Sequence, residues 1–374
     1  MRRRLALVTV VATALAAGGC GATSSSPAAA PLSAAACRRT DAAELLAVGH
    51  RIYAEAATGR IVTGARRRLA RSTRLSRAVA ADDGPATLAA LRPLLKHQIT
   101  RIAVWGPDGR LLATLGRAPA LAPSSGTIAD PLGLPVGRYT LAVGGDAAIA
   151  GEIAAVTGAP TRIAPDAAGG ASTAAFPATA FPSGPLRVAM TIRPALLTAC
   201  APTPATTRMA VVGQVGQRLL DSEQHGRQAR RVLNHVTHDP GFRRAVAHRD
   251  PVALRAAIIR FFRTRSLHVV RIRATTPDGT LIGDVGGPFV LSPLSGPVRS
   301  GGGRLLGRVT LSVQDDTGYI KLMRRFTGAA VVLHASHTRV PGSARPPASA
   351  HLTTTLTGTA FPAGPLDIAL ALPI

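Results

Sequence analysis

The amino-acid sequence predicts an α+β fold that is built twice in series. Short motifs recur with a fixed spacing: PDGRLL at residues 107–112 returns 170 residues later as PDGTLI, and GRYTLAV at 137–143 returns at the same offset as GRVTLSV. TAFPSGPL at 179–186 returns 180 residues later as TAFPAGPL. Repetition at this period indicates two copies of one domain. In each copy helical patterns precede short strands joined by hairpins, which favours an antiparallel sheet with helices packed on it.

Each copy opens with a long helical pattern and continues with a shorter one. In the first copy Asp41 and Glu44 have the spacing of a capping box ahead of an Ala-, Leu- and Arg-rich run to about residue 80. The second run starts near residue 208 and ends or kinks at the Asp-Pro pair 239–240. Short helices are predicted after Asp83 and Asp250, because an aspartate ahead of a proline-containing first turn favours a helix start.

The rest of each copy predicts strands around one more short helix. A hairpin with a Pro-Asp-Gly turn comes first, because apolar and β-branched residues alternate on both sides of that turn. A proline- and glycine-rich loop, a strand, a helix and two strands follow. The predicted hairpin strands are 100–105, 110–115, 268–275 and 280–285; the next strands begin at Tyr139 and Val309; the helices are 147–156 and 318–326; the last strands are 159–163, 186–192, 329–334 and 366–372.

The N-terminus is typical of an exported protein. Three arginines followed by an apolar run predict a signal peptide over residues 1–19. The small residues before Cys20 resemble a bacterial lipobox, which implies cleavage there, acylation of Cys20 and a location on the outer face of the cell membrane. Ordinary secretion with an incidental Cys20 is the alternative. Residues 20–38, rich in Ser, Ala and Pro, predict a lipid anchor and flexible tether.

The domain boundaries follow from the repeat and from two cysteines that flank it. We expect the first domain at 39–198, a linker at 199–206 and the second domain at 207–374, with no separate output domain. Cys37 and Cys200 bracket the first domain, and outside the cytoplasm a disulfide between them would persist. Two unrelated free thiols are the alternative.

The charge balance predicts anionic partners. The chain carries 44 Lys and Arg against 19 Asp and Glu, a formal net charge of +25. Such a surface should associate with anionic lipid headgroups or anionic wall polymers, although a codon bias towards arginine is a competing cause of its abundance. Nucleic acid is not an expected partner, because aromatic residues make up only 3% of the chain and do not alternate with the basic ones.

Together these patterns resemble the Cache (PDC, PAS-like) sensor domains of bacteria. The resemblance rests on the long helix, the HDPGF segment at 238–242, the strand entering a Pro-Asp-Gly hairpin, and the GRVTLSV strand with the short helix after it. It covers about 40–195 and 205–374 and implies two PAS-like units in series, each with a long N-terminal helix, a mainly antiparallel sheet and short helices. The first copy departs from it where Gly144-Gly145-Asp146 replaces Gln314-Asp315-Asp316, so its binding site is expected to be degenerate.

The resemblance implies a ligand site in the second copy, between the sheet and the segments that cover it. The polar residues expected there, at the strand end and on the short helix and first strand, are Asp315, Asp316, Tyr319, Lys321, Arg271 and Arg273. Alternation places the two arginines on one face of their strand. The competing interpretation is structural: the aspartates cap the helix and the tyrosine packs at its edge.

Catalysis and metal binding are not predicted. The sequence has no nucleophile elbow, no phosphate loop and no paired carboxylates near a histidine. His235 and His238 lie three residues apart on a predicted helix, as zinc ligands can, but exposed helix histidines are more common. We expect no cofactor and no metal.

The expected function is therefore small-molecule binding or sensing outside the cytoplasm, passed on through a membrane signalling partner. The alternative is a structural or adaptor lipoprotein of the cell envelope with a basic surface. An enzyme of unrecognised type is the weakest hypothesis.

Overall fold

A computed structural model of the chain describes most of both copies. It describes residues 33–95, 99–117, 119–167, 169–170, 172–182, 184–196, 203–264, 267–287, 290–335, 338–340, 343, 351–361 and 364–373. The predicted signal peptide, Cys20 and most of the predicted tether lie outside these residues.

The first copy opens with helices and continues with strands around one more helix, as predicted, but it has more strands than the sequence predicted. Its elements are α1 (Ala34–Thr58), α2 (Arg60–Ala70), α3 (Thr73–Ala80), α4 (Gly84–Leu95), β1 (Arg101–Trp105), β2 (Leu111–Gly116), β3 (Ala120–Leu121), β4 (Ser124–Ala129), β5 (Pro135–Ala142), β6 (Gly144–Gly145), α5 (Asp146–Thr157), β7 (Thr161–Ala164), β8 (Thr173–Phe181), β9 (Gly184–Thr191) and a 3₁₀ turn, Pro194–Leu196.

The second copy repeats this order. Its elements are α6 (Pro204–His225), α7 (Arg227–His238), α8 (Pro240–Ala247), α9 (Pro251–Arg263), β10 (Arg271–Thr275), β11 (Leu281–Gly286), β12 (Val290–Leu291), β13 (Leu294–Arg299), β14 (Leu305–Ser312), β15 (Gln314–Asp315), α10 (Asp316–Thr327), β16 (Ala330–Ala335), β17 (Thr338–Arg339), β18 (His351–Phe361) and β19 (Gly364–Pro373).

Each copy contains two antiparallel sheets. The first has the strand orders β2-β1-β5-β4 and β6-β3-β8-β9-β7; the second has β11-β10-β14-β13 and β15-β12-β18-β19-β16-β17. The α+β class and the antiparallel pairing are confirmed. The single sheet expected in each copy is in fact two, because the proline- and glycine-rich stretch taken for a loop contains short strands that complete one sheet and begin the other. Proline and glycine are disfavoured inside strands, so residue patterns do not predict short edge strands that contain them.

The long opening helix of each copy is confirmed, but it is segmented. Gly59 separates α1 from α2, and Gly226 separates α6 from α7, each in an extended backbone conformation. The capping box predicted at Asp41 and Glu44 is wrong. Helix α1 starts earlier, at Ala34, because the Ser33 hydroxyl accepts a hydrogen bond from the Ala36 amide. The short helices do begin at their aspartates: Asp250 Oδ1 accepts from the Val252 and Ala253 amides at 2.9 and 3.0 Å.

Three apolar cores hold the fold together, and the largest is shared by both copies. This central core lies between the larger sheets and buries α1, α5, α6 and α10, with members such as Leu45 and Ile153 from the first copy and Val215 and Leu370 from the second. A first-copy peripheral core and a second-copy peripheral core lie under the four-stranded sheets. The two copies therefore bury much of their apolar surface against each other.

The packing at the central core is nearly two-fold symmetric. Residues of the second copy follow their first-copy counterparts by 167 positions within the first four helices of each copy, and by 170 positions between α5 and α10. Arg51 of α1 donates to the Phe326 carbonyl at the C-terminus of α10, 3.2 Å away. Its counterpart, Arg218 of α6, lies against Gly158 at the C-terminus of α5. Each copy thus places an arginine where the helix dipole of the other is negative, a reciprocal arrangement like that of an isologous dimer.

The structure describes one of the two cysteines that we predicted to pair. Cys37 is fully buried in α1 and is disulfide-bonded. Its predicted partner, Cys200, lies outside the described residues, so the pairing remains a prediction. Helix α6 begins at Pro204, inside the predicted linker 199–206.

Among the described residues, no helix has both the length and the apolar character needed to cross a lipid bilayer.

Candidate functional site

Arg271 and Arg273, predicted to bind a ligand, lie side by side on β10 and share one carboxylate. Arg271 donates to both oxygens of Asp284 on β11 at 2.8 Å, and Arg273 Nη2 donates to Asp284 Oδ2 at 2.6 Å. Both guanidinium groups lie over the ring of Phe361 on β18, with Cζ 5.0 and 4.5 Å from the ring centroid. The cluster therefore joins the four-stranded sheet of the second copy to its six-stranded sheet.

Burial and charge set the ionisation of this cluster. The side chains of Arg271 and Asp284 are 14% and 13% exposed, and that of Arg273 is 31% exposed. Burial by itself would raise the pKa of Asp284, but the hydrogen bonds and charges of the two arginines outweigh it and lower that pKa. The carboxylate thus stays ionised, and the cluster is an internal ion triad. Within the described part of the first copy, this cluster is repeated only by Arg101, whose guanidinium group lies over the ring of Phe181.

The other predicted ligand residues are mostly engaged in structural contacts. Asp315 caps α10 by accepting from the Gly318 amide, and Asp316 is the first residue of that helix. Tyr319 is fully buried in the central core, where its hydroxyl donates to the Gly216 carbonyl at 3.2 Å and desolvation raises its pKa. Lys321 is exposed. These contacts fit the structural interpretation of the two aspartates and the tyrosine.

A groove runs between α7 and β13 on the second copy; we call it the second-copy groove. It has a volume of about 300 Å³ and is lined by Arg230, Leu233, Asn234, Thr237, His238, Arg243, Gly296, Pro297 and Arg299. No Asp or Glu is among these described lining residues. The groove therefore presents three guanidinium groups beside an apolar wall.

Backbone contacts orient two of those arginines. Arg243 Nε donates to the Thr237 carbonyl at 2.8 Å, and Arg299 Nη1 donates to the Gly303 carbonyl at 2.9 Å. Gly296 is what lets α7 lie close to the strand, since an added Cβ would come within 3.1 Å of Leu233. These contacts position polar donors around a space large enough for a small molecule.

The equivalent groove of the first copy is chemically different. It has about 360 Å³ and is lined by Thr63, Arg66, Arg67, Ala70, Thr127 and Tyr139. At the 167-residue offset, Thr63 of the first copy is equivalent to Arg230 of the second, and Ala70 is equivalent to Thr237. The two copies therefore repeat the fold of this groove but not its lining.

A third cavity lies where the copies meet, and sequence reasoning did not find it; we call it the arginine cleft. It has about 540 Å³ and is lined by Glu55, Thr58, Gly59, Arg60, Thr63, Gly64, Arg67, Arg68, Arg71 and Arg325. Arg325 Nη1 pairs with a Glu55 oxygen at 3.0 Å across the junction. The arginine density of α2 was a visible signal, but Arg325 is distant in sequence and comes close only in the folded chain.

The two histidines with the spacing of zinc ligands make separate structural contacts. His235 packs edge-on against Phe261, with ring centroids 5.8 Å apart, and His238 Nδ1 donates to the Asn234 carbonyl at 2.8 Å. Within the described part of the chain, no three His, Cys, Asp or Glu side chains group together as metal ligands would.

The fold and these cavities define a tandem α+β protein with basic grooves. No protein-family model and no curated protein matches the chain. Among solved structures, the crystal structure of the periplasmic domain of Vibrio cholerae LuxQ is similar at 12% identity and a TM-score of 0.33, over 44% of this chain and 100% of that one. A selenomethionine crystal structure of the same domain is similar at 11% identity and a TM-score of 0.31, over 44% and 98%. Likeness at this level carries no statement about function or about single residues.

Proposed function

We propose that the protein is an extracytoplasmic binding or sensing protein that holds a small anionic molecule in the second-copy groove. The observation that supports it is the groove itself: Arg230, Arg243 and Arg299 line it together with the apolar side chain of Leu233, without a lining carboxylate among the described residues. Charge-assisted hydrogen bonds from arginine to a carboxylate or a similar anion are short and directional. The apolar wall would cover the carbon skeleton of the ligand.

In this proposal the protein is held at the outer face of the membrane by a lipid on Cys20 and acts through a membrane signalling partner. It binds and does not catalyse. The net charge of +25 would draw it to anionic lipid or wall polymer, an attraction that salt screens. Nucleic acid is not a proposed partner. The Cache-like arrangement inferred from the sequence is part of the same proposal.

The experiment is thermal unfolding of the full chain against amino acids, dicarboxylates, purines and polyamines. A ligand that binds only the folded state adds about 2.7 kcal/mol at 100 times its dissociation constant. We expect an anionic compound to raise the midpoint, and the double variant Arg230→Gln/Arg299→Gln to remove that rise. Arg231→Gln is the matched control, since this exposed arginine neighbours Arg230 but does not line the groove. A rise that survives in the double variant would contradict this site.

A structural or adaptor role is the second candidate, and one observation favours it. Arg271, Arg273, Asp315 and Tyr319 are engaged in internal contacts, and the copies share one core. A chain built this way would serve as a rigid basic spacer without any ligand. No midpoint shift with any compound, in a protein that unfolds cooperatively, would favour this role over binding.

A further inference from the structure

Strand β4 forms an outer edge of the first-copy four-stranded sheet, and no strand among the described residues pairs with its outer side. We propose that this edge accepts an extended acidic segment of a partner protein by β-strand addition. Strand edges attract such segments because they present backbone donors and acceptors that are not yet paired. The inference does not rest on the proposed function, because β4 contributes no residue to the second-copy groove.

The register of the sheet shows which backbone groups of β4 point outward. Thr127 lies opposite Arg138 on β5, and Pro297 holds the same position opposite Arg308 in the second copy. Proline has no amide hydrogen to give to a neighbouring strand, so a proline at this position indicates a backbone that points away from the sheet. By equivalence, the amide and the carbonyl of Thr127 point outward, towards a strand that would be added there.

A side-chain contact agrees with this register. The hydroxyl oxygens of Ser125 and Thr140 are 2.8 Å apart, and those of Ser295 and Thr310 in the second copy are 2.7 Å apart. Opposite residues that exchange no backbone hydrogen bonds bring their side chains closest together. Ser125 therefore also directs its backbone groups outward, as Thr127 does two residues later.

The first copy lacks the two features that protect the same edge in the second copy. Natural sheets guard their edges with proline and with charged side chains. Strand β13 carries both, Pro297 and Arg299, whereas β4 has Thr127 and Ala129 at the equivalent positions, 170 residues earlier. No residue of β4 is charged and none is proline. The fold tolerates a protected edge, yet the edge of the first copy is open.

Exposed leucines continue this surface into the turn between β4 and β5. Leu132 and Leu134 are 85% and 60% exposed. Gly302 and Arg304 take these positions in the second copy, although the two turns have the same backbone hydrogen bonds. The turn geometry therefore does not require the leucines. Apolar side chains exposed beside an open strand edge favour a partner that covers both.

Two cavities flank Thr127 and would receive alternate side chains of the added strand. One has about 360 Å³ and is lined by Arg66, Arg67 and Tyr139 among others; the other has about 500 Å³ and lies at the Pro-Asp-Gly turn beside Arg138. Tyr139 and Arg138 are neighbours on β5, so their side chains point to opposite faces of the sheet. In β-strand addition, backbone hydrogen bonds supply affinity and pockets for alternate side chains supply specificity.

The charge around the edge selects an acidic segment. Arg66, Arg67 and Arg138 are exposed, and Asp108 is the single carboxylate among the described residues that line the two cavities. That carboxylate accepts a hydrogen bond from the Arg110 amide at 2.9 Å, within its own turn. Glutamate or aspartate side chains of a partner would form charge-assisted hydrogen bonds here. A second molecule of this chain fits less well, because two bodies of net charge +25 repel each other.

The test is fluorescence anisotropy of a dye-labelled heptapeptide of alternating glutamate and valine, titrated with the purified full chain. We expect saturable binding, and much weaker binding of a peptide in which lysine replaces glutamate. Thr127→Pro gives β4 the residue that β13 already carries and removes one outward donor, so the dissociation constant should rise about tenfold. Thr127→Val is the matched control, because it keeps that donor and should bind as the wild type does.

A second pair of variants tests the charge. Arg66→Gln/Arg67→Gln should raise the dissociation constant about fivefold, since two exposed charged contacts are lost. Arg74→Gln/Arg77→Gln removes the same charge from exposed positions of α3 that line neither cavity, and should have little effect. No saturable binding, an equal loss in the two pairs, or equal binding of the lysine peptide would overturn the site.

Two further measurements separate backbone pairing from other modes of binding. A glutamate–valine peptide methylated at every internal amide cannot donate to β4 and should not bind the wild-type chain, which decides the question even if Thr127→Pro misfolds. Binding of this peptide as tightly as the parent would exclude strand addition. Sedimentation velocity tests the other occupant: a wild-type dimer that Thr127→Pro abolishes would assign the edge to a second molecule of this chain and refute the acidic partner.

Discussion

At the scale of single residues, Asp284 shows how one carboxylate fixes the position of two arginines. Arg271 and Arg273 are held between this carboxylate and the ring of Phe361. Alternation in the sequence placed both arginines on one face but gave no sign that Asp284, on the next strand, would pair with them. Hairpin register decides that pairing, and β10 and β11 set Arg273 opposite Asp284.

Removing that carboxylate should be costly. Asp284→Ala would leave two partly buried guanidinium groups without their shared partner, and we expect a loss of about 2–4 kcal/mol in the free energy of unfolding, because breaking a buried pair is far more costly than breaking an exposed one. Urea unfolding measures it. Asp166→Ala is the control, because its pair with Arg162 is 81% and 67% exposed, and it should cost less than about 1 kcal/mol. Equal losses in the two variants would show that the triad has no special role.

Glu223 near the end of α6 should make stability fall as pH rises. Burial raises its pKa from 4.5 to about 6, so the folded chain keeps this proton at a pH where the unfolded chain has lost it. The contribution is fully present below 4.5 and is lost as pH rises through 6. We expect Glu223→Gln to match wild type at pH 4 and to be about 1–2 kcal/mol more stable at pH 7. Unfolding curves across this range test it, with Asp221→Asn as the exposed control expected to keep the wild-type decline.

At the scale of elements, the repeated Gly-Arg-x-Thr-Leu motif has a steric cause. Gly137 and Gly307 hold the same place on β5 and β14, where each strand passes the carbonyl of its neighbour. A Cβ at Gly307 would lie 2.2 Å from the Thr275 carbonyl oxygen and 2.9 Å from Val246. Both copies therefore need glycine at this position, because the strand lies close to a backbone carbonyl of its neighbour and to a helix.

Gly307→Ala should accordingly destabilise the second copy. Backbone atoms meet the added methyl group, and forcing extra volume into a packed site costs about 1–3 kcal/mol. Gly302→Ala is the control, because nothing lies within 4 Å of its added Cβ. Thermal unfolding of both variants measures the difference. A neutral Gly307→Ala would mean that β14 can move away from β10 without loss.

The ends of the helices show what local sequence can and cannot locate. Asp250 starts α9 as predicted, because a cap acts on the next three residues. Asp41 and Glu44 had the same local signature but lie inside α1, where Asp41 is fully buried and Glu44 Oε2 pairs with Arg208 Nε at 3.0 Å. A contact between α1 and α6 therefore accounts for the glutamate of a pattern that resembled a helix start.

At the scale of the whole molecule, the two copies form one pseudo-symmetric body. Helices α1 and α6 pack together in the central core, as two subunits would in an isologous dimer. The linker makes that association intramolecular, so it needs no minimum protein concentration. The arginine cleft lies at this junction, where Glu55 of the first copy pairs with Arg325 of the second.

A mutation in one copy should therefore weaken the other. Leu45→Ala in α1 removes a fully buried side chain of the central core and should cost about 2–5 kcal/mol. We expect hydrogen exchange to accelerate in β19 of the second copy as well as in β9. The control is Leu254→Ala, in the second-copy peripheral core, which should accelerate exchange in β10 and β14 but not in β9. Exchange that stays confined to the first copy in Leu45→Ala would show that the copies unfold independently.

The sequence by itself determined the repeat, the α+β class, the opening helices, the Pro-Asp-Gly hairpins and the aspartate caps of the short helices. The repeat is visible as similarity between two parts of the chain, and each of the other features depends mainly on nearby residues, so periodicity and turn chemistry are sufficient to predict it. The tertiary structure alone decided that each copy has two sheets, that both copies share one core, and that Tyr319 is buried while Arg325 reaches the arginine cleft. Such contacts join residues that are far apart in the chain, as Arg51 and Phe326 are, and their free energy comes from burial between surfaces that no local pattern specifies.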